Sequence, residues 1–273
     1  MKSWALIVEP EPLPGAWNMA VDEHLFRLAE RSPRTFLRFY AWARPTASLG
    51  HAQDAARVVD AAFCAANGVD VVRRMTGGKL VLHHREVTYA VASSETGVFT
   101  SNLRDSYRLI SLALIEGLAA LGLEARLAES APPAYAKGTM PCFAFAARDE
   151  IEIGGRKIVG SAQKRTGGVF LQHGSVPLET DEALLAAVAR PGEAPEGGAG
   201  ATSLGERLGR PVGFDEAVGP LVEGFARAFG VAFERFALGP GDLEAVRALR
   251  DAKYSSEEWT FRPRPGAAGP ASR

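Results

Sequence analysis

The chain is poor in the features that would assign it to several large classes of protein. Only two cysteines, Cys64 and Cys142, occur among 273 residues, so no disulfide framework is expected and each thiol stands alone. No apolar run approaches the ~20 residues needed to span a bilayer, and no membrane association is expected. The opening MKSWALIVEPEP carries one lysine and a short apolar stretch broken by Glu9 and prolines. That makes a poor secretion signal, and a cytoplasmic location is expected. Charge of one sign is lacking too. The 31 basic residues against 32 acidic leave a formal net charge of −1, and no lysine or arginine block resembles a nucleic-acid-binding arm. There is no internal repeat. The five histidines show no zinc-site spacing with cysteine, and the neighbours His83 and His84 point to opposite faces of a strand, so they cannot close on one ion. No metal and no cofactor are expected.

What is present is ample core material. Hydrophobic residues make up 47% of the chain, enough for one large domain. We divide it into a catalytic core over 1–210, a C-terminal helical segment of the same domain over 211–261 and a disordered tail over 262–273. Trp4 to Val8 reads as an opening strand, after which Pro10, Pro12 and Pro14 forbid regular structure until a helix starts near Gly15. Trp17, Val21, Leu25 and Leu28 give that helix an apolar face, with His24 among them as a core histidine satisfied by a hydrogen bond. Residues 35–42 and 46–51 are rich in strand formers, and 55–67 reads as one helix closed by Gly68, with Cys64 as a buried filler. The longest helix runs from a cap at Asn102 to about Gly122. Residues 190–211, dense in glycine and proline, read as a mobile surface loop; a helix starting at Asp215 and a last one over 242–253 follow.

Chemistry concentrates in two stretches. The first, 70–93, places Thr76-Gly77-Gly78 between the strand patterns VDVVRRM and KLVLHH. Glycines there let backbone approach a ligand and offer N–H groups to a carbonyl or phosphate; the plain alternative is a hairpin turn. Arg73, Arg74, His83 and His84 cluster around it. The second stretch, 141–177, sets Cys142 before a hairpin that turns at Gly154-Gly155. It carries Lys157 on the outgoing strand, then turns again at 166–168 into VFLQHGSV with His173. A free thiol near pKa ~8.5 is largely protonated at neutral pH, so Cys142 needs a cation nearby, and Lys157 is the candidate.

WNMAVDE at 17–23, RRMTGGKLVLHH at 73–84 and KIVGSAQ with GVFLQHGS at 157–175 together resemble the lipoate/biotin protein ligase superfamily, and within it the cysteine-dependent octanoyltransferases. That resemblance implies an α/β fold, a mixed, mainly antiparallel sheet flanked by helices. It also implies transfer of an octanoyl group from acyl carrier protein to a lysine of a lipoyl-domain or glycine-cleavage H protein. By the same resemblance Cys142 is the acyl-thioester nucleophile and Lys157 faces the acyl carbonyl. Arg74, Thr76, Gly77, Gly78 and His83 fall in the substrate-binding loop, with Gly160, Ser161 and His173 around the acyl pocket. Val81, Val91 and Val169 are candidate lining. Lys79 stands where the ligases carry a third glycine, which argues against an adenylate site, and His84 stands where the family often has aspartate. The alternatives are an ATP-dependent lipoate ligase, an amidotransferase between carrier domains and a non-catalytic lipoyl-binding scaffold.

Overall fold

Short runs of β-branched and aromatic residues, alternating with a period of two, lay down most of the chain as strands. The computed structural model describes residues 2–100, 102–129, 150–191 and 200–262. In chain order the elements are β1 (Lys2–Leu13), α1 (Gly15–Arg31), β2 (Thr35–Trp42), β3 (Thr46–Leu49), α2 (Ala55–Val58), α3 (Ala61–Ala66), β4 (Asp70–Arg73), β5 (Val81–His83) and β6 (Glu86–Ser93). There follow α4 (Leu103–Ala120), β7 (Arg126–Leu127), β8 (Ile151–Ile153), β9 (Arg156–Thr166), β10 (Val169–Pro177), α5 (Glu182–Val188) and α6 (Leu204–Leu208). The chain continues through α7 (Phe214–Phe229), β11 (Val231–Arg235), α8 (Pro240–Leu249), a π turn (Arg250–Tyr254) and α9 (Glu257–Thr260). Among the described residues no helix is long and apolar enough to cross a membrane.

The strands form an eight-stranded sheet in the order β11-β1-β2-β6-β10-β9-β8-β7 and a three-stranded one in the order β4-β3-β5. In the large sheet β1 runs parallel to β11 and β2, while the β2–β6, β6–β10, β10–β9, β9–β8 and β8–β7 pairs are antiparallel. The mixed, mainly antiparallel sheet with helical cover agrees with the fold expected from sequence.

Strand parity sorts the side chains. Leu37 and Phe39 of β2, Val87, Tyr89 and Val91 of β6, and Phe170 of β10 face α4 and α7 in one core. Phe36 and Tyr40 of β2, Ala90 and Ala92 of β6, and Leu171 of β10 face α1 and the C-terminal helices in another. Because successive residues point to opposite faces, Arg38, Trp42, Thr88, His173 and Ser175 are also directed to the α1 side. That parity is what builds the site described below.

Several local expectations change. β1 continues through Pro10 and Pro12 to Leu13; its pairing with β2 slips between Glu9 and Leu13, and there an exposed proline forfeits no ladder bond. The single helix expected over 55–67 is two, because Val59 is extended and the Asp60 carboxylate caps a fresh start by accepting the Phe63 N–H at 3.0 Å. The turn at 76–78 joins no hairpin, since β4 and β5 lie on opposite sides of β3. The region read as a surface loop holds α6, with Leu204 fully buried, and Ala201 pairs with Lys157. The segment from 211 also contributes β11, and its last expected helix is α8 followed by the π turn. Residues 263–273, expected as a disordered tail, lie outside the described residues, but Arg262 is engaged, donating to the His51 carbonyl at 3.0 Å. His24 is satisfied as expected, by Asp242 at 2.9 Å, and Cys64 is buried, its thiol pushed up to about 11 by burial and Asp60.

Helices α4 and α7 touch through glycine. A Cβ on Gly224 would lie 2.3 Å from the Gly117 amide nitrogen and 2.5 Å from the Ala113 carbonyl oxygen, and backbone cannot yield as a side chain tip can. Gly224→Ala is therefore expected to lower unfolding free energy by about 1–3 kcal/mol. Gly241→Ala in α8, where an added methyl meets nothing within 4 Å, holds it level or raises it by up to about 1 kcal/mol. Urea denaturation of the two variants makes the comparison.

Candidate active site

The α1-side face of the large sheet is left open where the small sheet folds over it, and the gap is a cavity lined by both sheets. Tyr40 and Trp42 of β2, Thr88 of β6, and His173 and Ser175 of β10 form one wall; Arg74, Gly78, Val81 and His83 form the opposite one. Lys157, Gly160 and Ser161 close the side toward β9. Residues far apart in sequence meet here because β10 pairs with both β6 and β9.

The TGG turn is held rigidly. The Arg74 guanidinium donates to the Gly77 carbonyl at 2.8 Å, the Lys79 carbonyl at 2.7 Å and the Ser48 carbonyl at 2.7 Å. Gly78 takes φ +94°, and a Cβ on neighbouring Gly50 would fall 1.9 Å from the Gly78 oxygen, so both positions require glycine. Arg73, expected near the site, instead holds the chain end: it is fully buried and donates to the carbonyls of Thr260, at 2.8 Å, and of Gln53, at 2.6 Å.

Behind the cavity runs a chain of buried polar groups that the WNMAVDE motif supplies. Asp22 Oδ2 pairs with His173 Nδ1 at 2.8 Å, and His173 Nε2 with the Thr76 hydroxyl at 2.7 Å. Asp22 Oδ1 accepts from Arg38 at 2.8 Å, Arg38 also donates to Glu9 at 2.6 Å, and Tyr40 donates to Asp22 at 3.0 Å. Burial alone would raise the Asp22 carboxyl, but the His173 hydrogen bond and Arg38 outweigh it and hold its pKa below the ordinary value. Burial depresses the His173 imidazole, outweighing Asp22, with Arg74 and His83 adding to the depression. Neutral His173 therefore donates from Nδ1 to Asp22 and accepts the Thr76 O–H at Nε2.

Two more carboxylates serve the cavity from outside it. Glu150 accepts from Lys157 Nζ at 2.8 Å, both buried. Glu86 Oε1 accepts from His83 Nδ1 at 2.8 Å, and the same carboxylate takes the Thr88 and Ser175 hydroxyls. His84 turns away, to Asp181 at 3.1 Å.

Of the residues singled out from sequence, Arg74, Gly78, His83, Lys157, Gly160, Ser161 and His173 line this one cavity, and Thr76 and Gly77 are bonded to its walls. Cys142 lies outside the described residues. Val81 lines the cavity, but Val91 packs toward α4 and α7 and Val169 toward α1, so neither does. Sequence reasoning passed over Asp22, Arg38, Glu86 and Glu150. The signal existed for two of them: Asp22 is a charge set among apolar helix positions, and Glu86 follows His83 by three residues at the head of a strand pattern.

A family model described as the lipoyl protein ligase A/B catalytic domain matches residues 14–226. The chain belongs to that family. Its similar relatives include octanoyltransferase LipM of Symbiobacterium thermophilum, 38% identical over 91% of this chain and 95% of the relative. Octanoyltransferase LipM of Kyrpidia tusciae is also 38% identical, over 96% and 100%. Among solved members of the fold, a lipoate-protein ligase A bound with ATP superposes with TM-score 0.82 at 26% identity, over 96% of this chain and 99% of that one. A bipartite lipoate protein ligase from Thermoplasma acidophilum gives 0.78 at 25%, over 96% of each. The family model spans the whole cavity wall, from α1 to the residues after β10.

The buried relay makes stability depend on pH with a definite sign. His173 and Asp22 both bind protons more readily in the unfolded chain. Their contribution is therefore complete above His173's ordinary value of 6.5 and declines as pH falls below it, then declines again as pH falls below Asp22's ordinary 3.8. Thermal melts should show Tm falling as a buffer series is taken from mildly alkaline to mildly acidic. His173→Gln should lower Tm at the alkaline end and flatten the slope. A residual slope remains from His51, depressed by burial and Arg262.

Proposed function

We propose that the chain transfers an octanoyl group from acyl carrier protein to a lysine of a lipoyl-accepting protein, such as the glycine-cleavage H protein, through a thioester on Cys142. The observation that carries this reading is 38% identity, across nearly the whole of both chains, to proteins named octanoyltransferase LipM. The convergence of Lys157, His83, His173 and the TGG turn on one cavity supports it.

In the first half-reaction the Cys142 thiolate adds to the donor thioester carbonyl, and the carrier thiolate leaves. In the second the acceptor lysine nitrogen adds to the enzyme thioester, and Cys142 leaves. Lys157 polarises the carbonyl in both steps and stabilises the oxyanion formed in each. The exchange between two thioesters is nearly even in energy, and the final amide lies lower, so no nucleotide is required. Burial of a straight acyl chain contributes ~0.8 kcal/mol per methylene, enough to sort donors by length if the cavity has a floor. Apolar contact from Met19, Trp42 and Val81 suits such a chain.

An ATP-dependent ligase is the second reading, favoured by the fold likeness to a ligase bound with ATP. Lys79 in TGGK, where ligases carry a third glycine, counts against it. The two part in one assay. Octanoyl-carrier protein with acceptor domain, in chelator and without nucleotide, is expected to give octanoylated acceptor; free octanoate with Mg-ATP is expected to give none. The reverse result would overturn the transferase, and product in neither tube would favour a binding scaffold. Intact mass of the chain after donor alone should show one octanoyl adduct, removable by hydroxylamine and absent from Cys142→Ala. An adduct on Cys64 would sink the assignment.

Lys157→Ala should slow acylation and transfer alike, by about 10²–10³-fold if its contribution matches that of an oxyanion donor. Lys157→Arg should rescue little, because the planar guanidinium differs in shape and donor geometry. Single-turnover rates of each half-reaction make the measurement.

A further inference from the structure

The octanoyl-transfer reading leaves one step without a group to perform it. An acceptor lysine arrives as an ammonium, and it must lose a proton to attack a thioester. We propose that His83, held in place by Glu86, takes that proton; the proposal rests on the octanoyl-transfer reading above.

The geometry favours His83 over the other histidine of the cavity. Both nitrogens of His173 are engaged, one by Asp22 and one by Thr76. His83 is bonded at Nδ1 alone, at 2.8 Å from Glu86, and among the described residues Nε2 has no hydrogen-bond partner. Glu86 is buried and accepts from His83, Thr88 and Ser175. A carboxylate surrounded by donors fixes Nδ1 as the protonated nitrogen and leaves the Nε2 lone pair as the acceptor. The ring plane is set independently: His83 stacks on Trp42 with centroids 4.0 Å apart at 10°, and Trp42 Nε1 donates to Thr88 at 2.7 Å. The fold supplies this contact at a cost. His83 ends β5 in the small sheet and Glu86 begins β6 in the large one, and Arg85 between them takes the left-handed φ of 52° that turns the chain back on itself.

In the step proposed, the amine nitrogen bonds to the thioester carbon, the C–S bond breaks and the Cys142 thiolate departs. Two protons leave the ammonium by way of His83 Nε2, and the amide nitrogen keeps one hydrogen. The first is released to water before attack; the second, shed as the amide forms, passes to the Cys142 thiolate, and Glu86 stabilises the imidazolium each time. The charged and titratable groups facing His83 are Glu86 from β6, Arg74 from the turn after β4, Lys157 from β9, His173 from β10 and Tyr40 from β2. Asp22 stands behind His173 and Glu150 behind Lys157. Glu86 is the group in direct contact, so it is the positioning residue to vary.

The test uses the full chain, loaded with octanoyl from the donor and then mixed with acceptor domain or with hydroxylamine, a nucleophile that is neutral near pH 7 and needs no base. His83→Gln should slow transfer to the acceptor lysine by about 10²-fold or more. Acylation and hydroxylamine release should slow much less, so that the ratio of lysine transfer to hydroxylamine release falls by about 10-fold or more. Glu86→Gln should slow lysine transfer by about 10-fold with hydroxylamine release slowed less, and Glu86→Asp should recover part of the rate. Hydroxylamine release from the same loaded variant reports that it is folded and acylated. Equal slowing of both nucleophiles in His83→Gln would overturn the role of His83. Failure of the unmodified chain to take up or pass on octanoyl would overturn the transferase reading itself, and this role with it.

Discussion

The buried pairing of Arg38 with Asp22 is the contact on which the rest depends. It ties the middle of α1 to the centre of β2, in a place where neither charge reaches water. Taking away one partner of such a pair leaves an uncompensated charge, at about 3–5 kcal/mol, so α1 has a single acceptable position on the sheet. From that position Asp22 reaches His173 on β10, and His173 reaches Thr76 in the glycine turn. A helix, two sheets and a loop are thereby set relative to one another by one line of hydrogen bonds.

The consequence for chemistry is that the cavity walls do not need a ligand to order them. Arg74 fastens the glycine turn through backbone carbonyls, and Glu150 and Glu86 do the same for Lys157 and His83 through their polar atoms. Each of the three side chains Arg74, Lys157 and His83 has a partner that fixes its direction, the arrangement that makes electrostatic stabilisation effective without reorganisation at the moment of reaction. The C-terminal segment belongs to this support. Lys253 and Tyr254 pair with Glu23 of α1, and the carbonyls of α9 receive Arg73 at the end of β4.

Family membership sets the limits of function. The superposition with lipoate ligases extends over nearly the whole chain, so the fold alone does not separate a ligase from a transferase. The separation rests on the relatives that carry the octanoyltransferase name; the proposed reading adds to it Lys79 and Cys142.

Much of this was legible in the residues themselves. The two hairpins at Gly154-Gly155 and Gly167-Gly168, the capped helix after Asn102 and the period-two strands follow from local sterics and from the burial of one face, which depend on neighbours in sequence. Lys157, His83 and His173 were marked as a group by motifs. What sequence left undecided was any matter of partnership across the chain. No local rule says that Glu150 meets Lys157, that Arg38 meets Asp22, or that Arg73 serves the chain end while Arg74 serves the turn. Likewise, Val91 and Val169 look equal to Val81 as strand formers, yet only Val81 lies at the cavity. The reason is that a strand residue's face is fixed by the register of its sheet and by what covers that face. Both arise only when β10 has paired with β6 and β9 and α1 has been fastened in place by its buried charge.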